Sequence, residues 1–342
     1  MPDFFTRTLN LSSKLVAQAA SKLSQNHKPH IILGLSGGPD SVFLLYILAK
    51  LAELEVIELS AAHLDHGWRA SSSKDADFCK KLCTDLNTPF YNAHASTISL
   101  NKSYKGSQEA LGRALRQTFF KQILQTYNAD FIALAHHYDD QQETFFIRLL
   151  RGSTIDGLCS MKPIDNKFIR PLLATRKKEI LDYLDSNKIL YCLDETNSSP
   201  AYLRNRIRSV LIPALNSCDA RFDTTFQHTL TSLQTENNFL HELAEKTFNS
   251  VFVKTSTEKH LVGSRKVLLE QHPVMQHRIL LLWIISESVA FSPSQAFIQE
   301  ILTFLSNPRG GRHTLNLDWA IIKKQNNFWI ELFPKRQNME NL

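Results

Sequence analysis

The chain has 342 residues, 43% of them hydrophobic, and 39 Lys and Arg against 33 Asp and Glu give it a net charge of +6 and a pI of about 9.0. That length suits two domains of ordinary size, and the apolar fraction is that of a soluble globular protein. No apolar run reaches the length of a membrane span, Met1 to Ser13 lacks the basic-then-apolar order of a secretory leader, and the basic excess favours a polyanionic partner without establishing one.

Five scattered cysteines (Cys79, Cys83, Cys159, Cys192, Cys218) show no pairing framework, so a reducing, cytoplasmic compartment is expected. In chain order, apolar residues at helical spacing predict a leading helix over Leu9 to Leu23. Ile31 to Leu35 is a short apolar run, as in a strand covered on both faces, and SGGPDS (Ser36 to Ser41) follows it into an apolar helix over Pro39 to Leu54. Val56 to Ala62 is a second strand ending in HLDHGWR (His63 to Arg69), Ser72 to Leu86 a helix, and Pro89 to Ala93 a third strand. Gln108 to Tyr127 is a long helix, and Phe131 to Ala135 a fourth strand leading into the helix of HHYDDQQETFFIRLLRG. Strands alternating with helices imply βαβ units, a parallel sheet and helices on both of its faces. Ligands on such sheets bind at the carboxyl ends of the strands, so the polar clusters at Ser36, His63 and His136 are expected to converge on one crevice.

Further on, Ile169 to Leu173 reads as a strand, Lys178 to Lys188 as a helix, Asp194 to Ser199 as a polar loop and Arg204 to Leu215 as another helix. A long polar helix follows over Asp223 to Val251, of the kind that bridges two domains. The remainder is α+β: helices over Pro273 to Ile285 and Ser294 to Leu305, then strands over His313 to Leu317 and Asn327 to Leu332 with a turn at Gln325.

Glycines 37 and 38 let the backbone turn tightly and approach a ligand, and Pro39 suits the first turn of a helix. Asp40 and Ser41 then stand where the first helical N–H groups are unpaired, a ready phosphate site. It is not a Walker A loop, which needs Lys-Ser or Lys-Thr after its second glycine. SGGPDS resembles the pyrophosphate loop of the N-type ATP pyrophosphatases; the plainer reading is a strand-turn-helix with a glycine turn.

His63, Asp65 and His66 bunch at one strand end, and His136, His137, Asp139, Asp140 and Glu143 at another. Asp139 and Glu143 are i,i+4 and Asp140 and Glu143 i,i+3, so all three lie near one helix face. Three readings stand side by side: dipole-favoured charges at a helix start, a metallohydrolase centre, and a site for magnesium and an ammonium group. The metallohydrolase reading leaves SGGPDS unexplained. Arg113, Arg116, Arg148 and Arg151 stand beside the expected crevice, and Arg204, Arg206 and Arg208 form a basic cluster. Arginine forks suit phosphates; a solvated charged face is the plainer account.

Taken together, SGGPDS, HLDHGWR, EALGRALR (Glu109 to Arg116), AHHYDDQQETFFIRLLRGSTIDGL (Ala135 to Leu158), RPLL (Arg170 to Leu173) and DETNSSPAYLRNRIRSVLIPAL (Asp194 to Leu215) resemble the tRNA(Ile)-lysidine synthetase family over most of the first 215 residues. The second half is weakly similar to that family's first C-terminal domain, and the chain looks like the short form. The resemblance implies a catalytic domain over 1–215 and a smaller, mainly helical α+β tRNA-binding part over 216–342. It implies that ATP adenylylates the wobble cytidine of an isoleucine tRNA with a CAU anticodon, and that free L-lysine then displaces AMP to give lysidine. In that scheme Ser36, Gly37, Gly38, Pro39, Asp40, Ser41, His63 and Asp65 bind ATP, and Asp40 and Asp140 hold Mg²⁺. His136, Asp139, Asp140 and Glu143 bind lysine, with Asp40, Asp139, Asp140 and Glu143 the catalytic set. Arg113, Arg116, Arg151, Arg204, Arg206 and Arg208 take tRNA or ATP phosphates; no membrane is involved, and a homodimer is compatible. The rival enzyme is another tRNA-modifying pyrophosphatase such as a thiolase, but no C-x-x-C is present; a non-enzymatic RNA-binding protein would leave the acidic clusters unexplained.

Overall fold

The computed structural model describes residues 3–24, 27–68, 72–100, 108–159, 161–193, 202–254, 260–289, 293–316 and 318–332. The polar loop expected at Asp194 to Ser199 and the Arg69 that ends HLDHGWR lie outside them. The residues form two compact units, Met1–Thr225 and Phe226–Leu342, so that residues 216–225 belong with the first.

The first unit contains α1 (Phe4–Ala20), β1 (His30–Gly34), α2 (Pro39–Glu53), β2 (Glu58–Asp65), α3 (Ser72–Asp85), β3 (Phe90–His94), α4 (Gln108–Thr126), β4 (Phe131–Ala133) and α5 (Tyr138–Leu150). Then come α6 (Ile155–Leu158), β5 (Ile164–Asp165), β6 (Phe168–Ile169), α7 (Lys177–Ser186), α8 (Leu203–Arg206), α9 (Ile212–Cys218) and the start of α10 (Phe222–Val251). The sheet order is β3-β2-β1-β4-β6-β5, parallel except for the β5–β6 hairpin. Alternation along β1 sorts its side chains to two cores. Ile31 and Leu33 meet α1, α2 and α7 through Val16, Leu44, Leu48 and Ile180. Ile32 meets Phe119, Phe120 and Ile123 of α4 on the other face. Helices therefore cover both faces, as a parallel sheet requires.

Two departures have local causes. The strand expected over Ile169 to Leu173 is only two residues long, because Pro171 has no N–H to give a ladder; Leu172 and Leu173 are still buried in the turn that follows. The helix expected over Arg204 to Leu215 runs from Leu203 to Cys218 but widens into a π turn over Ile207–Leu211. Pro213 lacks a donor and its ring crowds the carbonyl four residues back, which the wider turn relieves.

Asp223, at the start of α10, is held by α5 and by the N-cap of α7. Its carbonyl accepts the Tyr138 hydroxyl at 2.5 Å, and its carboxylate accepts Gln142 Nε2 at 2.8 Å and Arg176 Nη1 at 2.5 Å.

The second unit holds the rest of α10, β7 (Phe252–Val253), β8 (Val262–Ser264), α11 (Arg265–Leu269), α12 (Pro273–Ser286), α13 (Gln295–Ser306), β9 (Gly311–Thr314), β10 (Trp319–Lys324) and β11 (Asn327–Leu332). Its antiparallel sheet has the order β7-β8-β11-β10-β9. Phe252, Trp283 and Phe328 pack as its aromatic centre, with ring centroids 4.9–5.5 Å apart. The expected turn at Gln325 joins β10 to β11 with φ 54°. Among the described residues, no helix is long and apolar enough to cross a membrane.

Candidate active site

Strand order reverses between β1 and β4, and this is where a doubly wound sheet opens a crevice at its carboxyl edge. The segments that follow these two strands carry SGGPDS and HHYDD. Gly37 has φ +84°, a conformation side chains rarely adopt, and a β-carbon there would lie 3.3 Å from the sulfurs of both Cys79 and Cys192. Pro39 is in the first turn of α2, whose N-cap Gly38 offers no side-chain cap. The loop is braced from within: Ser36 N–H donates to Ser41 Oγ at 3.2 Å, the two hydroxyls are 3.1 Å apart, and Ser41 Oγ donates to the Gly38 carbonyl at 2.9 Å. Uncapped amides at the amino end of a 15-residue helix are a phosphate cradle.

His63 is buried and its Nδ1 lies 2.9 Å from the Leu35 carbonyl, fixing the entry to the loop. Asp65 accepts the N–H of Gly67 at 2.7 Å, where φ is +64°. Burial would raise its pKa, but this N–H and the Ser72 hydroxyl hold it below the ordinary carboxylate value. Both residues expected at ATP are thus engaged in shaping the loop ends beside it.

At α5, the N-cap His137 donates its N–H to Asp140 Oδ2 at 3.0 Å. Asp139 Oδ2 accepts the backbone N–H of Lys177 at 2.9 Å. Burial pushes the Asp139 pKa up, but His137 and that N–H bring it below the usual value. The His137 ring is buried, with Nε2 3.7 Å from Asp40 Oδ2 and 3.5 Å from Asp140 Oδ2, and Nδ1 3.4 Å from Asp139 Oδ2. Burial alone would depress its pKa; the three carboxylates raise it on balance. Asp40, Asp139 and Asp140 therefore converge across the β1–β4 crevice around one imidazole. Beside them, His136 is pushed down to about 4 by burial, against the pull of Asp140, and its Nδ1 is buried without a hydrogen bond.

Lys177, the first residue of α7, was missed in the sequence. Its ammonium lies 2.6 and 2.5 Å from the two oxygens of Asp40. One lysine in RPLLATRKKEI has no periodicity or motif to mark it.

Glu143 departs from its expected place at the lysine ammonium. Its side chain is fully buried, and its oxygens accept Arg204 Nε at 2.9 Å and Arg208 Nε at 2.5 Å. Arg204 and Arg208, expected on phosphates, thus spend their Nε donors on α5, and two guanidinium groups against one carboxylate leave a net positive charge. Arg113 and Arg116 are exposed on α4, Arg151 is exposed at the end of α5, and Arg206 is exposed on α8.

Asp40 and Asp140 fit a Mg²⁺ that draws one or two carboxylates from protein and completes its shell from phosphate and water. Both carboxylates face His137 Nε2, with Lys177 now on the Asp40 side. Among the described residues there is no cluster of three or more His, Cys, Asp or Glu arranged to hold a metal by themselves.

A PP-loop domain model matches residues 11–215. The tRNA(Ile)-lysidine synthase of Clostridium perfringens (strain 13) is 32% identical over 320 residues, covering 91% of this chain and 66% of that protein. Those of Bacillus cereus (strain ATCC 10987) and Bacillus subtilis (strain 168) are each 32% identical, over 80% and 81% of this chain and 59% and 60% of theirs. The chain therefore spans about 60% to two thirds of the length of these relatives. Among solved structures, a U34-tRNA thiolase from Methanococcus maripaludis superposes with a TM-score of 0.53 at 18% identity, covering 67% of this chain and 80% of that one; it shares the fold. The uncapped loop after β1, the carboxylates after β4 and the matched family model agree: this chain belongs to the PP-loop family.

Proposed function

We propose that the chain is a tRNA(Ile)-lysidine synthase. ATP adenylylates the C2 oxygen of the wobble cytidine in a CAU anticodon and releases pyrophosphate; the ε-amino group of L-lysine then attacks C2 and expels AMP. The observation that carries this reading is the convergence of Asp40, Asp139 and Asp140 beside a phosphate cradle. One side suits a pyrophosphate leaving group and the other a cationic amine.

The amides of Gly37 and Gly38 and the hydroxyls of Ser36 and Ser41 take the pyrophosphate. Asp40 and Asp140 would hold Mg²⁺, whose charge would offset that on the transferring phosphate. Asp139 and Asp140 receive the ammonium of lysine. Support comes from Lys177, whose own ammonium already rests on Asp40 in the same cluster. An amine with a pKa near 10.4 must lose a proton before it attacks, and a carboxylate at the site accepts it. Glu143 takes no part in that transfer; it docks Arg204 and Arg208 against α5. Arg113, Arg151 and Arg206 contact tRNA phosphates, and the second unit adds affinity through Arg309, Arg312 and Lys324.

The test is incorporation of radiolabelled lysine into tRNA. ATP-dependent labelling, confined to the isoleucine tRNA with a CAU anticodon and abolished when its wobble cytidine is changed, is expected. Sulfur transfer to tRNA without lysine labelling would replace this reading with that of a thiolase.

A further inference from the structure

Trp68, just beyond the carboxyl end of β2, has no role in the scheme above. The residue is 46% exposed, whereas Trp283 is fully buried. His66 covers one face, with ring centroids 4.6 Å apart at 25°. Helix α4 abuts the ring's tip. A β-carbon on Gly112 would lie 2.5 Å from Cη2 and 3.3 Å from both Cζ2 and Cζ3. Those distances place the approach off the Cη2 tip, part-way between the ring plane and its normal, so α4 abuts the end of the ring and does not lie over its centre. With His66 on one face and α4 at the edge, the exposure falls on the second face. Arg113 and Arg116 are exposed on α4, next to and one turn beyond Gly112, and Arg116 is near enough to His66 to act on its charge.

An open indole face beside guanidinium groups suits unpaired nucleic acid, in which bases stack on aromatics and phosphates meet arginine. We propose that the free face of Trp68 is a stacking platform for an unpaired nucleobase of the tRNA anticodon loop, with Arg113 and Arg116 on the adjoining phosphates. The proposal rests on the tRNA reading above and adds to it a base contact on the β2 side of the crevice.

Trp68→Leu keeps apolar bulk against Gly112 and removes the stacking face; Trp68→Phe keeps a ring. The probe is a synthetic RNA hairpin with an unpaired CAU loop, titrated by fluorescence polarisation at fixed salt, with ATP titrated separately. Trp68→Leu is expected to weaken hairpin binding about tenfold to a hundredfold, the range measured for loss of one base–aromatic stack. Trp68→Phe should stay within about threefold, and ATP affinity should be unchanged in both. The hairpin should quench tryptophan emission in the parent protein, and that quench should vanish in Trp68→Phe. Wild-type hairpin affinity in Trp68→Leu, or a quench that persists in Trp68→Phe, overturns the platform. A loss confined to ATP binding overturns it too, by assigning the face to adenine. Lysine incorporation by the parent protein is scored independently, so its absence would sink the reaction and leave the hairpin result standing.

Discussion

Replacing Glu143 with Gln should loosen the first unit before it affects any chemistry. The carboxylate is fully buried and each oxygen accepts one arginine Nε. A hydrogen bond to a charged group contributes about 1.5–3 kcal/mol. A glutamine keeps one acceptor and turns an NH₂ toward the other arginine, so one bond is lost and one becomes a donor–donor contact. Against this, the Arg204 and Arg208 side chains are 39% and 49% exposed, so water takes back part of their charge and the Coulombic loss must be discounted. The net cost is about 2–4 kcal/mol, below the ~3–5 kcal/mol of breaking a wholly buried pair. For a unit of this size that lowers the melting temperature by roughly 5–15 °C. Thermal and urea unfolding followed by circular dichroism would measure it. A double-mutant cycle with Arg204→Ala should give a coupling of at least about 1 kcal/mol. A Gln variant within ~0.5 kcal/mol of the parent, or additive effects in the cycle, would refute the view that this carboxylate docks α8 onto α5.

Asp40→Ala should abolish pyrophosphate release in a protein that still melts cooperatively, since Asp40 is the one carboxylate on the phosphate loop itself; release at a near-parent rate would discard its role. Replacing Cys79 and Cys83 with Ala should leave lysine incorporation within about tenfold, a barrier change of roughly 1.4 kcal/mol, because both thiols are buried and pushed up by burial, Cys83 to about 12; complete loss in a folded protein would favour thiol chemistry. Acid should destabilise the first unit above pH 4: His66 and His136 are each pushed down to about 4, so the unfolded chain takes up protons first as pH falls below about 6.5. Each proton weakens folding by about 1.4 kcal/mol per pH unit in that window, and His66→Gln should shallow the slope of urea midpoint against pH; a flat profile between pH 7 and 5 would contradict the buried neutral rings.

Much of the first unit was legible because its signals are local. Apolar runs of strand length, glycines at a forced turn and carboxylates at i,i+3 and i,i+4 each report a few neighbouring residues, and the order of strands and helices carries them to one edge of a sheet. What was not legible is the choice of partner. Glu143 has its arginines 61 and 65 positions away, and Asp40 its lysine 137 positions away; no periodicity encodes such pairings, and any of several nearby charges satisfied the pattern equally well. The two-residue strands β5 and β7 fall below any repeat that could show them, and the π turn depends on how Pro213 is accommodated inside an otherwise helical pattern.

Asp223 decides where the chain can be dissected. The motifs end at Leu215, which invites a fragment stopping there, yet that cut discards the acceptor of the Tyr138 hydroxyl, the Gln142 amide and the Arg176 guanidinium. Two of those donors sit on α5, which carries Asp139 and Asp140, and the third, Arg176, is the N-cap of α7, next to Lys177. A fragment ending at 215 should therefore show faster amide exchange in the first turns of α5 and α7, whereas one extended past Thr225 should match the full chain. Where the shortest intact first unit ends is thus set by a single aspartate in the helix that continues into the second unit. Equal exchange in the two fragments would return the boundary to Leu215.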